Sequence, residues 1–245
     1  MIHMITVCGV DVDMEFMPHH LPWYAVRGVT NFHYILNACR MNRNIAEATS
    51  ALIDLAEAHD VSLRLYNWIG PFNSNTKIRR MGALLRNVKT PCVLSDMDEY
   101  IGVKDFTGIR KTYPTGPCVY GRFIDCFAAT PPCVAAVLPH QGIDSQFPVR
   151  RAGYASDVGV GGCQTKPVVM FAKNYTRCHS MPNYTLGDYT SRYALVPILH
   201  MRWTASRRDK SIARADSFKR QGLVHWKKSR NAATFLATCP VIERE

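Results

Sequence analysis

Segments typical of strands and of helices alternate along the first part of the chain, and this order constrains the fold more than any other feature of the sequence. Strands that are joined through helices run parallel, and the helices cover both faces of the sheet. We therefore predict an α/β fold with a mostly parallel, Rossmann-like sheet. The predicted strands cover 4–10, 31–36, 61–68 and 91–94, and the predicted helices cover 18–27, a segment capped by Asn44, and a segment from Asn75 or Thr76 to Arg86.

The helical periodicity fades after Tyr113, where Pro and Gly separate short strand-like runs. This pattern predicts a looser, mixed C-terminal half with long loops at 139–165 and 174–194, and loops of that length are often binding segments. Helical spacing returns at about Ser206. We predict one domain over 1–205 and a basic helical extension over 206–245 that packs on the same domain. The strand-like runs of the second half are 117–128, 134–138, 167–172 and 195–200.

The composition fits one large core. A chain of 245 residues with 47% apolar residues can bury a single sizeable core. No apolar run reaches the roughly 18 residues that a membrane span requires, and the first residues lack a signal-peptide pattern. Nine cysteines, an odd number without a C-x-x-C pair, predict neither a disulfide framework nor a zinc site. These features favour a cytoplasmic protein without a transmembrane segment.

The positive charge of the chain is unevenly placed. The net charge is +11, and residues 202–230 hold ten basic and two acidic side chains, a net of +8. Residues 1–60 hold three basic and seven acidic side chains. A positive field attracts nucleic acid, an acidic glycan, an anionic membrane surface or the phosphates of a nucleotide. The alternative is a solvated basic helix with no partner.

The apolar strand predicted at 91–94 leads directly into the cluster Asp96-Met97-Asp98-Glu99. Ligands of open α/β sheets bind beyond the carboxyl ends of the strands, so both aspartates follow the strand at the expected place. In an extended segment Asp96 and Asp98 would lie on the same side, with Met97 directed into the core. Two carboxylates and a diphosphate supply the oxygen ligands that Mg²⁺ or Mn²⁺ prefers. A solvated turn is the alternative for an isolated D-x-D pair, but the position after a buried strand favours a metal site.

The stretch Val93-Leu-Ser-Asp-Met-Asp-Glu-Tyr-Ile101 resembles the "hydrophobic strand, DxDEF" signature of family-2-like and family-92-like glycosyltransferases with a GT-A fold. The resemblance spans roughly residues 5–220, and its specific part is the acidic cluster. It departs from the family pattern at Asp13-Met-Glu15, where an Asn-Glu pair is usual. The further segments that carry it are 17–29 with 31–37, Lys166-Pro-Val-Val with His179, and Leu199-His-Met-Arg-Trp203 with Lys210.

The resemblance implies a metal-dependent transferase of the GT-A type, with Mn²⁺ or Mg²⁺ and a nucleotide-sugar donor. It implies that Asp96 contacts the ribose or the metal, that Asp98 contacts the metal, and that Glu99 fixes the loop or a neighbouring base. His200 follows an apolar strand and would supply a third metal ligand or a phosphate contact, because a neutral imidazole suits a divalent cation. A structural histidine is the alternative. The implied donor-binding residues are Asp11, Asp13, Glu15, Asn37 and Asp96. The helix before the acidic strand begins with basic residues that could approach the diphosphate, with a solvated helix face as the alternative: Lys77, Arg79 and Arg80.

Transfer with inversion, the expected stereochemistry, requires a carboxylate that takes a proton from the acceptor hydroxyl. Asp125, Asp144 and Asp157 are the candidates in the second half of the chain. Asp157 is favoured because it lies beside the glycine-rich segment 159–162, where an acceptor could be enclosed. If the enzyme retains configuration, this role disappears.

The basic segment 202–230, which we call the basic tail, could select the acceptor. Its basic side chains could neutralise phosphates, and the interleaved aromatic residues Trp203 and Trp226 could stack on bases. A modified DNA base is therefore one candidate acceptor, and it would have to be flipped out of the duplex. A glycan or a lipid-linked sugar, with the tail on an anionic membrane, is the preferred alternative. The predicted acceptor or phosphate contacts are Arg202, Trp203, Arg207, Arg208 and Lys210.

Two other function classes compete with the transferase. In a non-catalytic nucleic-acid-binding protein the acidic cluster would be only a surface turn. A nucleotidyltransferase shares the metal and phosphate chemistry, but it usually carries a glycine-rich basic loop after the first strand. Here that turn, residues 11–15, is acidic, which argues against it.

Overall fold

The structure is a computed structural model that describes residues 1–129, 135–152, 154–157, 165–171, 195–220, 222, 227 and 230–234. For residues 156, 157, 208, 209, 213, 214, 217 and 218 it describes the backbone alone. The chain divides into two compact units. Unit 1 comprises Met1–Gly121 and Thr165–Ile198, and unit 2 comprises Arg122–Gln164 and Leu199–Glu245. The division predicted from the sequence, 1–205 and 206–245, stays a prediction.

Unit 1 begins with four parallel strands. They are β1 (His3–Gly9), β2 (Asn31–Ala38), β3 (Ser62–Ile69) and β4 (Cys92–Leu94). Strand β1 pairs in parallel with β2 and with β4, and β2 pairs in parallel with β3. The carboxyl ends of all four strands therefore lie at the same edge of the sheet. The four strand predictions for this part of the chain are confirmed to within two residues at each end.

The later strands are β5 (Glu99–Ile101), β6 (Cys118–Phe127), β7 (Val149–Ala152), β8 (Thr165–Met170) and β9 (Leu195–His200). The strand order is β3-β2-β1-β4-β8-β6-β9-β5, with β7 paired to β6. Strand β8 is antiparallel to β4 in unit 1, and β7 is antiparallel to the end of β6 in unit 2. The predicted α/β class with a mostly parallel sheet is confirmed.

Two of the predicted helix starts were wrong by one or two residues. The side-chain oxygen of Asn42 accepts from the amide of Ile45 at 3.3 Å, so Asn42 and not Asn44 caps the second helix. The side-chain oxygen of Asn73 accepts from the amides of Asn75 and Thr76 at 2.9 and 3.2 Å, so Asn73 caps the third helix, which begins at Ser74. The helices are α1 (Met17–Ala25), α2 (Arg43–Ala58), α3 (Ser74–Asn87), α4 (Ile109–Thr112), α5 (Ile143–Gln146), α6 (Tyr154–Asp157) and α7 (Arg207–Arg220).

Helices cover both faces of the parallel strands, because successive strand residues point to opposite sides. Ile35 of β2 lies in one apolar cluster with Met81 and Leu85 of α3. The next residue back, Tyr34, contacts His20 of α1 through its hydroxyl. Helices α3 and α1 therefore pack on opposite faces of β2, as the alternating pattern predicts.

Two predictions for the second half were wrong. The segment 139–165 was expected to be one long loop, but it contains α5, β7 and α6. The strand expected at 134–138 is reduced, among its described residues, to one bridge between Ala135 and Thr204. The strands at 117–128, 167–172 and 195–200 and the helix after Ser206 are confirmed. The predicted loop at 174–194 lies outside the described residues.

Within the described part of the chain, no helix combines the length and the apolar character needed to cross a membrane.

The glycine in β6 shows how closely unit 1 is packed. A Cβ atom at Gly121 would lie 2.5 Å from Cγ1 of Ile198 and 2.8 Å from Cγ1 of Val168. Both contacts are with buried side chains of neighbouring strands, so neither can move without cost. A residue larger than glycine therefore does not fit between β8 and β9.

We predict that Gly121→Ala lowers the free energy of unfolding by about 1–3 kcal/mol, the usual cost of overpacking a core. Gly108→Ala is the control, because a Cβ there meets no atom within 4 Å. It should cost about 0.5 kcal/mol or less. Urea denaturation of both variants measures the difference, and equal stabilities would contradict the described packing.

Candidate active site

The carboxyl edge of the parallel strands gathers the acidic residues of unit 1. Strand β1 ends at Gly9, and β4 ends at Leu94. The turn after β1 contacts β2 there, since the amide of Val10 donates to the carbonyl of Asn37 at 3.0 Å. The segment after β4 carries Asp96 and Asp98. Ligands of α/β sheets bind at this edge, so we describe it as the candidate active site.

The segment that follows β4 is a turn and not the extended segment that the sequence analysis considered. The amide of Glu99 donates to the carbonyl of Asp96 at 3.1 Å, and the amide of Asp96 donates to Oε2 of Glu99 at 2.9 Å. These two bonds close residues 96–99 into a compact loop. Met97 is 1% exposed, which confirms that it points into the core, whereas Asp96 and Asp98 are half-buried. We call residues 95–99 the acidic turn.

A buried ion pair fixes the acidic turn to β8. Nζ of Lys166 donates to Oε2 of Glu99, and both side chains are almost fully buried. Burial alone would lower the pKa of the Lys166 ammonium, but the negative charges of Glu99, Asp96 and Asp98 outweigh it and the pKa is raised. Lys166 is therefore a cation next to three carboxylates.

A second lysine neutralises the first aspartate. Nζ of Lys77, in the first turn of α3, donates to both carboxylate oxygens of Asp96 at 2.6 and 2.5 Å. Lys77 is 6% exposed, so this is a largely buried pair. The sequence predicted a phosphate contact for Lys77, and the structure places its ammonium group at the candidate site.

A neutral histidine supports the acidic turn from α1. His20 is fully buried, with Nε2 at 3.1 Å from the carbonyl oxygen of Asp96 and Nδ1 at 2.9 Å from the hydroxyl of Tyr34. A carbonyl only accepts, so Nε2 carries the proton and Nδ1 accepts from the tyrosine. Burial lowers the pKa of His20 to about 3. His20 is therefore an uncharged hydrogen-bond donor at neutral pH.

A buried tyrosine in α1 joins both ends of the acidic turn. The hydroxyl of Tyr24 lies 2.8 Å from Oγ of Ser95, donates to the carbonyl of Glu99 at 2.9 Å, and accepts from the amide of Ile101 at 3.1 Å. Burial raises the pKa of Tyr24 well above its ordinary value, so the hydroxyl keeps its proton. Tyr24 and His20 together fix the backbone on which Asp96 lies.

The acidic turn after β1 is also ordered. The carboxylate of Asp13 accepts from the amide of Gly9 at 2.8 Å, and the amide of Asp13 donates to the carbonyl of Gly9 at 2.7 Å. Asp11 is exposed, and its Oδ1 accepts from the side-chain amides of Asn42 and Asn44 at 3.0 and 3.1 Å. Of the two, Asp11 is the one whose carboxylate lies at the surface.

The other predicted donor-binding residues of unit 1 differ in burial. Asn37 is buried, and its side-chain amide donates to the carbonyls of Trp68 and Gly70 at 3.0 and 3.1 Å, which joins the ends of β2 and β3. Glu15 is half-buried, and its charge helps to raise the pKa of buried Tyr100 after the larger effect of burial. Arg80 is exposed, with its guanidinium 5.4 Å from the ring centroid of Trp68. Their donor-binding roles stay predictions.

In unit 2, a buried carboxylate contacts three donors. Asp125 is 0% exposed, and its Oδ2 accepts from the amide of Ala155 at 2.7 Å. Its Oδ1 lies 3.1 Å from Nδ1 of His200 and 3.1 Å from Nε1 of Trp203. Burial alone would raise the pKa of Asp125, but the hydrogen bond and charge of His200, the Ala155 amide and the charge of Arg202 together lower it.

The remaining predicted residues of unit 2 lie in varied surroundings. Asp144 is exposed in α5, and for Asp157 and Arg208 the side chains are outside the described part of the structure. Trp203 is 0% exposed and stacks on Phe127 with ring centroids 5.5 Å apart. The prediction that Trp203 stacks on nucleic-acid bases was therefore wrong. Trp226 lies outside the described residues. The half-buried basic side chains are Arg202, Arg207 and Lys210, of which Lys210 donates to Oγ of Ser206 at 3.1 Å.

Three residues of the candidate site were not singled out from the sequence. His20 and Tyr24 were seen only as part of the early helix, and Lys166 only as part of a late motif. The signal that could have found them is a polar residue at a position where the helix or strand pattern requires burial, because buried polar groups need partners. Their partners on the acidic turn are 67 or more residues away in the sequence.

Comparisons with known proteins give likenesses of low similarity. No protein-family model and no curated protein matches the chain. Among solved structures it is similar to S. aureus TarS, with a TM-score of 0.39 and 10% identity over 96% of this chain and 42% of that one. For residues 1–349 of TarS the TM-score is 0.37 at 9% identity, over 96% of this chain and 70% of that one. For the mannosyltransferase PcManGT from Pyrobaculum calidifontis, solved with GDP-Man and Mn²⁺, the TM-score is 0.41 at 10% identity, over 97% of this chain and 73% of that one.

The buried, neutral state of His20 predicts a loss of stability in acid. The unfolded chain protonates this histidine below about pH 6.5, whereas the folded chain does not until about pH 3, so its contribution is lost as the pH falls between these values. We predict that His20→Gln reduces the slope of unfolding free energy against pH by up to about 1.4 kcal/mol per unit between pH 6 and 4. Urea denaturation at several pH values measures it.

The matched control is His140→Gln, since His140 is exposed. The pKa values of His3 and His33 are also lowered, by burial first and by nearby positive charges second. These histidines add to the pH dependence of the wild type, so the contribution of His20 is read from the difference in slope between the wild type and His20→Gln. A slope for His20→Gln equal to that of the wild type would contradict the neutral, buried state.

Proposed function

We propose that the chain is a metal-dependent glycosyltransferase that moves a sugar from a nucleotide-sugar donor to an acceptor hydroxyl. The observation that carries the proposal is the acidic turn, which lies at the carboxyl edge of four parallel strands and presents Asp96 and Asp98 from a loop fixed by buried contacts. This placement is where α/β folds bind nucleotides. Carboxylates beside buried lysines fit a ligand that combines a divalent cation with phosphates.

The charges of the acidic turn support a cation at Asp98. Lys77 pairs with Asp96 and Lys166 pairs with Glu99, so carboxylates and ammonium groups lie side by side at the acidic turn. Asp98 adds a further negative charge there, which raises the pKa of Tyr100 after the larger effects of burial and Tyr24. Carboxylate oxygen is the ligand type that Mg²⁺ and Mn²⁺ prefer. When bound, the ion would neutralise the charge that develops on the leaving diphosphate.

The buried contacts of the acidic turn would reduce the cost of binding. A flexible loop would have to be ordered when ligand binds, and each immobilised side chain costs about 0.5–1.5 kcal/mol. Here His20, Tyr24 and Lys166 already fix the backbone and the Glu99 side chain. The Asp96 and Asp98 carboxylates are thus presented on an ordered turn before any ligand arrives.

The remaining steps of the proposal concern the phosphates and the acceptor. We propose that Lys77 contacts the donor diphosphate, and the position of its ammonium group at Asp96 supports this role. In inverting transfer the acceptor oxygen bonds to the anomeric carbon as the bond from that carbon to the phosphate oxygen breaks, and a base takes the hydroxyl proton. Asp157 and Asp144 stay the predicted candidates for this base. Asp125 is less suited, since it is fully buried.

The turn after β1 argues against a nucleotidyltransferase. Enzymes that bind phosphate with a loop after the first strand use free backbone amides and positive charge. In this chain the amide of Gly9 donates to the carboxylate of Asp13 at 2.8 Å. A negative side chain therefore occupies the position at which such a loop would receive a phosphate.

We predict that Asp98→Asn abolishes metal-dependent donor binding while the variant still folds cooperatively, because asparagine keeps the shape of the side chain. Asp98 is the better test than Asp96, whose removal would also break the pair with Lys77. A panel of nucleotide sugars with Mn²⁺ should raise the melting temperature of the wild type by mass action, and not that of the variant. The control is Asp54→Asn, an exposed carboxylate of α2. Full Mn²⁺-dependent stabilisation of Asp98→Asn would refute the site.

The basic tail provides a test of the acceptor class. A glycan or lipid-linked sugar is the preferred acceptor, and a modified DNA base is the other. If the tail binds duplex DNA, log affinity falls with log salt at a slope of about −0.9 per phosphate contacted. A neutral saccharide has no counterions to release, so its affinity should hardly change with salt.

We predict that replacing Arg207, Arg208 and Lys210 by Gln makes the salt slope of DNA binding less steep by up to about 2.7, since each lost phosphate contact removes about 0.9. The control removes three exposed charges from unit 1 in Lys104→Gln, Arg110→Gln and Lys111→Gln. Fluorescence anisotropy across salt concentrations measures both slopes. Equal slopes would show that net charge alone attracts the DNA. Sugar transferred only to glycans, with hydroxymethylated DNA untouched, would end the DNA interpretation.

A further inference from the structure

The contacts of Asp125 join three separate parts of unit 2. Asp125 lies in the second half of β6, Ala155 lies in α6, and His200 with Trp203 lies at and after the end of β9. Both carboxylate oxygens accept hydrogen bonds from these residues at 2.7–3.1 Å. The carboxylate is fully buried, so its position is set by protein groups and not by solvent.

Aromatic packing restricts the movement of these donors. The Trp203 ring stacks on Phe127 at 5.5 Å and meets Tyr154 edge to face at 6.0 Å. The His200 ring lies 5.0 Å from the ring of Phe123. Side chains packed in this way lose little further freedom when a ligand binds, which is the requirement for a preorganised site.

The chemistry of the pair determines the tautomer of His200. An ionised carboxylate only accepts hydrogen bonds, so the ring nitrogen that faces Asp125 must carry the proton. That nitrogen is Nδ1, at 3.1 Å from Oδ1. In a neutral imidazole the lone pair is then on Nε2, which is the atom able to coordinate a cation. Histidines that bind metals usually donate their other N–H to a carboxylate in this way.

We infer that Asp125 is a positioning residue that keeps His200 in the Nδ1–H tautomer, so that the lone pair on Nε2 can coordinate a divalent cation. The cation in this inference rests on the proposed function, whereas the tautomer does not. Asp125 thereby acquires a role different from the proton acceptor that the sequence suggested. Trp203 also has a positioning role, because its indole N–H donates to the same oxygen of Asp125.

The tautomer of His200 is measured directly by long-range ¹H–¹⁵N correlation spectra of protein labelled with ¹⁵N-histidine, without added metal. The spectra of His200→Gln assign the signals. We expect Nδ1–H alone in the wild type and a mixture of the two tautomers in Asp125→Asn, since an amide offers one accepting oxygen where the carboxylate offers two oxygens to three N–H donors. Trp203→Phe, which retains the carboxylate, should keep the Nδ1–H tautomer. If Asp125→Asn does not fold, the wild type and Trp203→Phe still decide the tautomer.

The affinity for Mn²⁺, measured from the electron paramagnetic resonance signal of the free ion, tests whether the positioning of His200 affects cation binding. Asp125→Asn should bind Mn²⁺ about 10- to 100-fold more weakly than the wild type, the usual effect of losing the partner of a ligating histidine. Asp216→Asn, an exposed carboxylate of α7, is the control and should bind like the wild type.

The outcomes separate this inference from the proposed function. An Nε2–H tautomer or a doubly protonated His200 in the wild type at neutral pH, or an Mn²⁺ affinity of Asp125→Asn within twofold of the wild type, would overturn the inference. Conversely, the expected tautomer and affinities in a protein that transfers no sugar from any donor would refute the glycosyltransferase and leave the positioning role of Asp125 intact.

Discussion

The buried carboxylate of Glu99 is the constraint on which the candidate site depends. An ionised carboxylate inside a protein costs several kcal/mol unless a cation and hydrogen-bond donors surround it. Lys166 supplies the cation, and the amide of Asp96 supplies a donor. Because the lysine lies in β8, the acidic turn can adopt this conformation only when β8 is in place beside β4. The position of the Asp96 backbone is therefore a consequence of the fold, independent of any ligand.

The same physical requirement orders unit 2. Asp125 is as deeply buried as Glu99, but its compensation comes from hydrogen-bond donors on α6, β9 and the segment after β9. In each unit a buried carboxylate thus fixes a polar group that the proposed chemistry would use. In unit 1 that group is the Asp96 backbone beside Asp98, and in unit 2 it is the His200 imidazole. The charges at each site are placed by long-range contacts and not by local helix or strand preferences.

The sequence predicted the elements of unit 1 well, because apolar periodicity reports burial and burial follows from strand and helix geometry. It also located the acidic turn, since a short apolar strand that leads into two aspartates is a local pattern. It missed the conformation of that turn, which depends on the Glu99 side chain folding back onto the Asp96 amide. It missed His20 and Tyr24, whose partners on the acidic turn are more than 70 residues distant. It took 139–165 for a loop because α5, β7 and α6 have four residues each and are too short for periodicity to show.

A glycosyltransferase would use each of these features: lysines that balance the acidic turn, a neutral His20 that adds no competing positive charge, and an Asp98 carboxylate for a cation. The most direct test is a crystal structure of the protein with a nucleoside diphosphate and Mn²⁺, with the ion located by anomalous scattering. The proposed function predicts an Mn²⁺ peak within coordination distance of a carboxylate oxygen of Asp98, with the diphosphate on the same ion. An ion bound elsewhere, or a diphosphate bound away from the acidic turn, would contradict it.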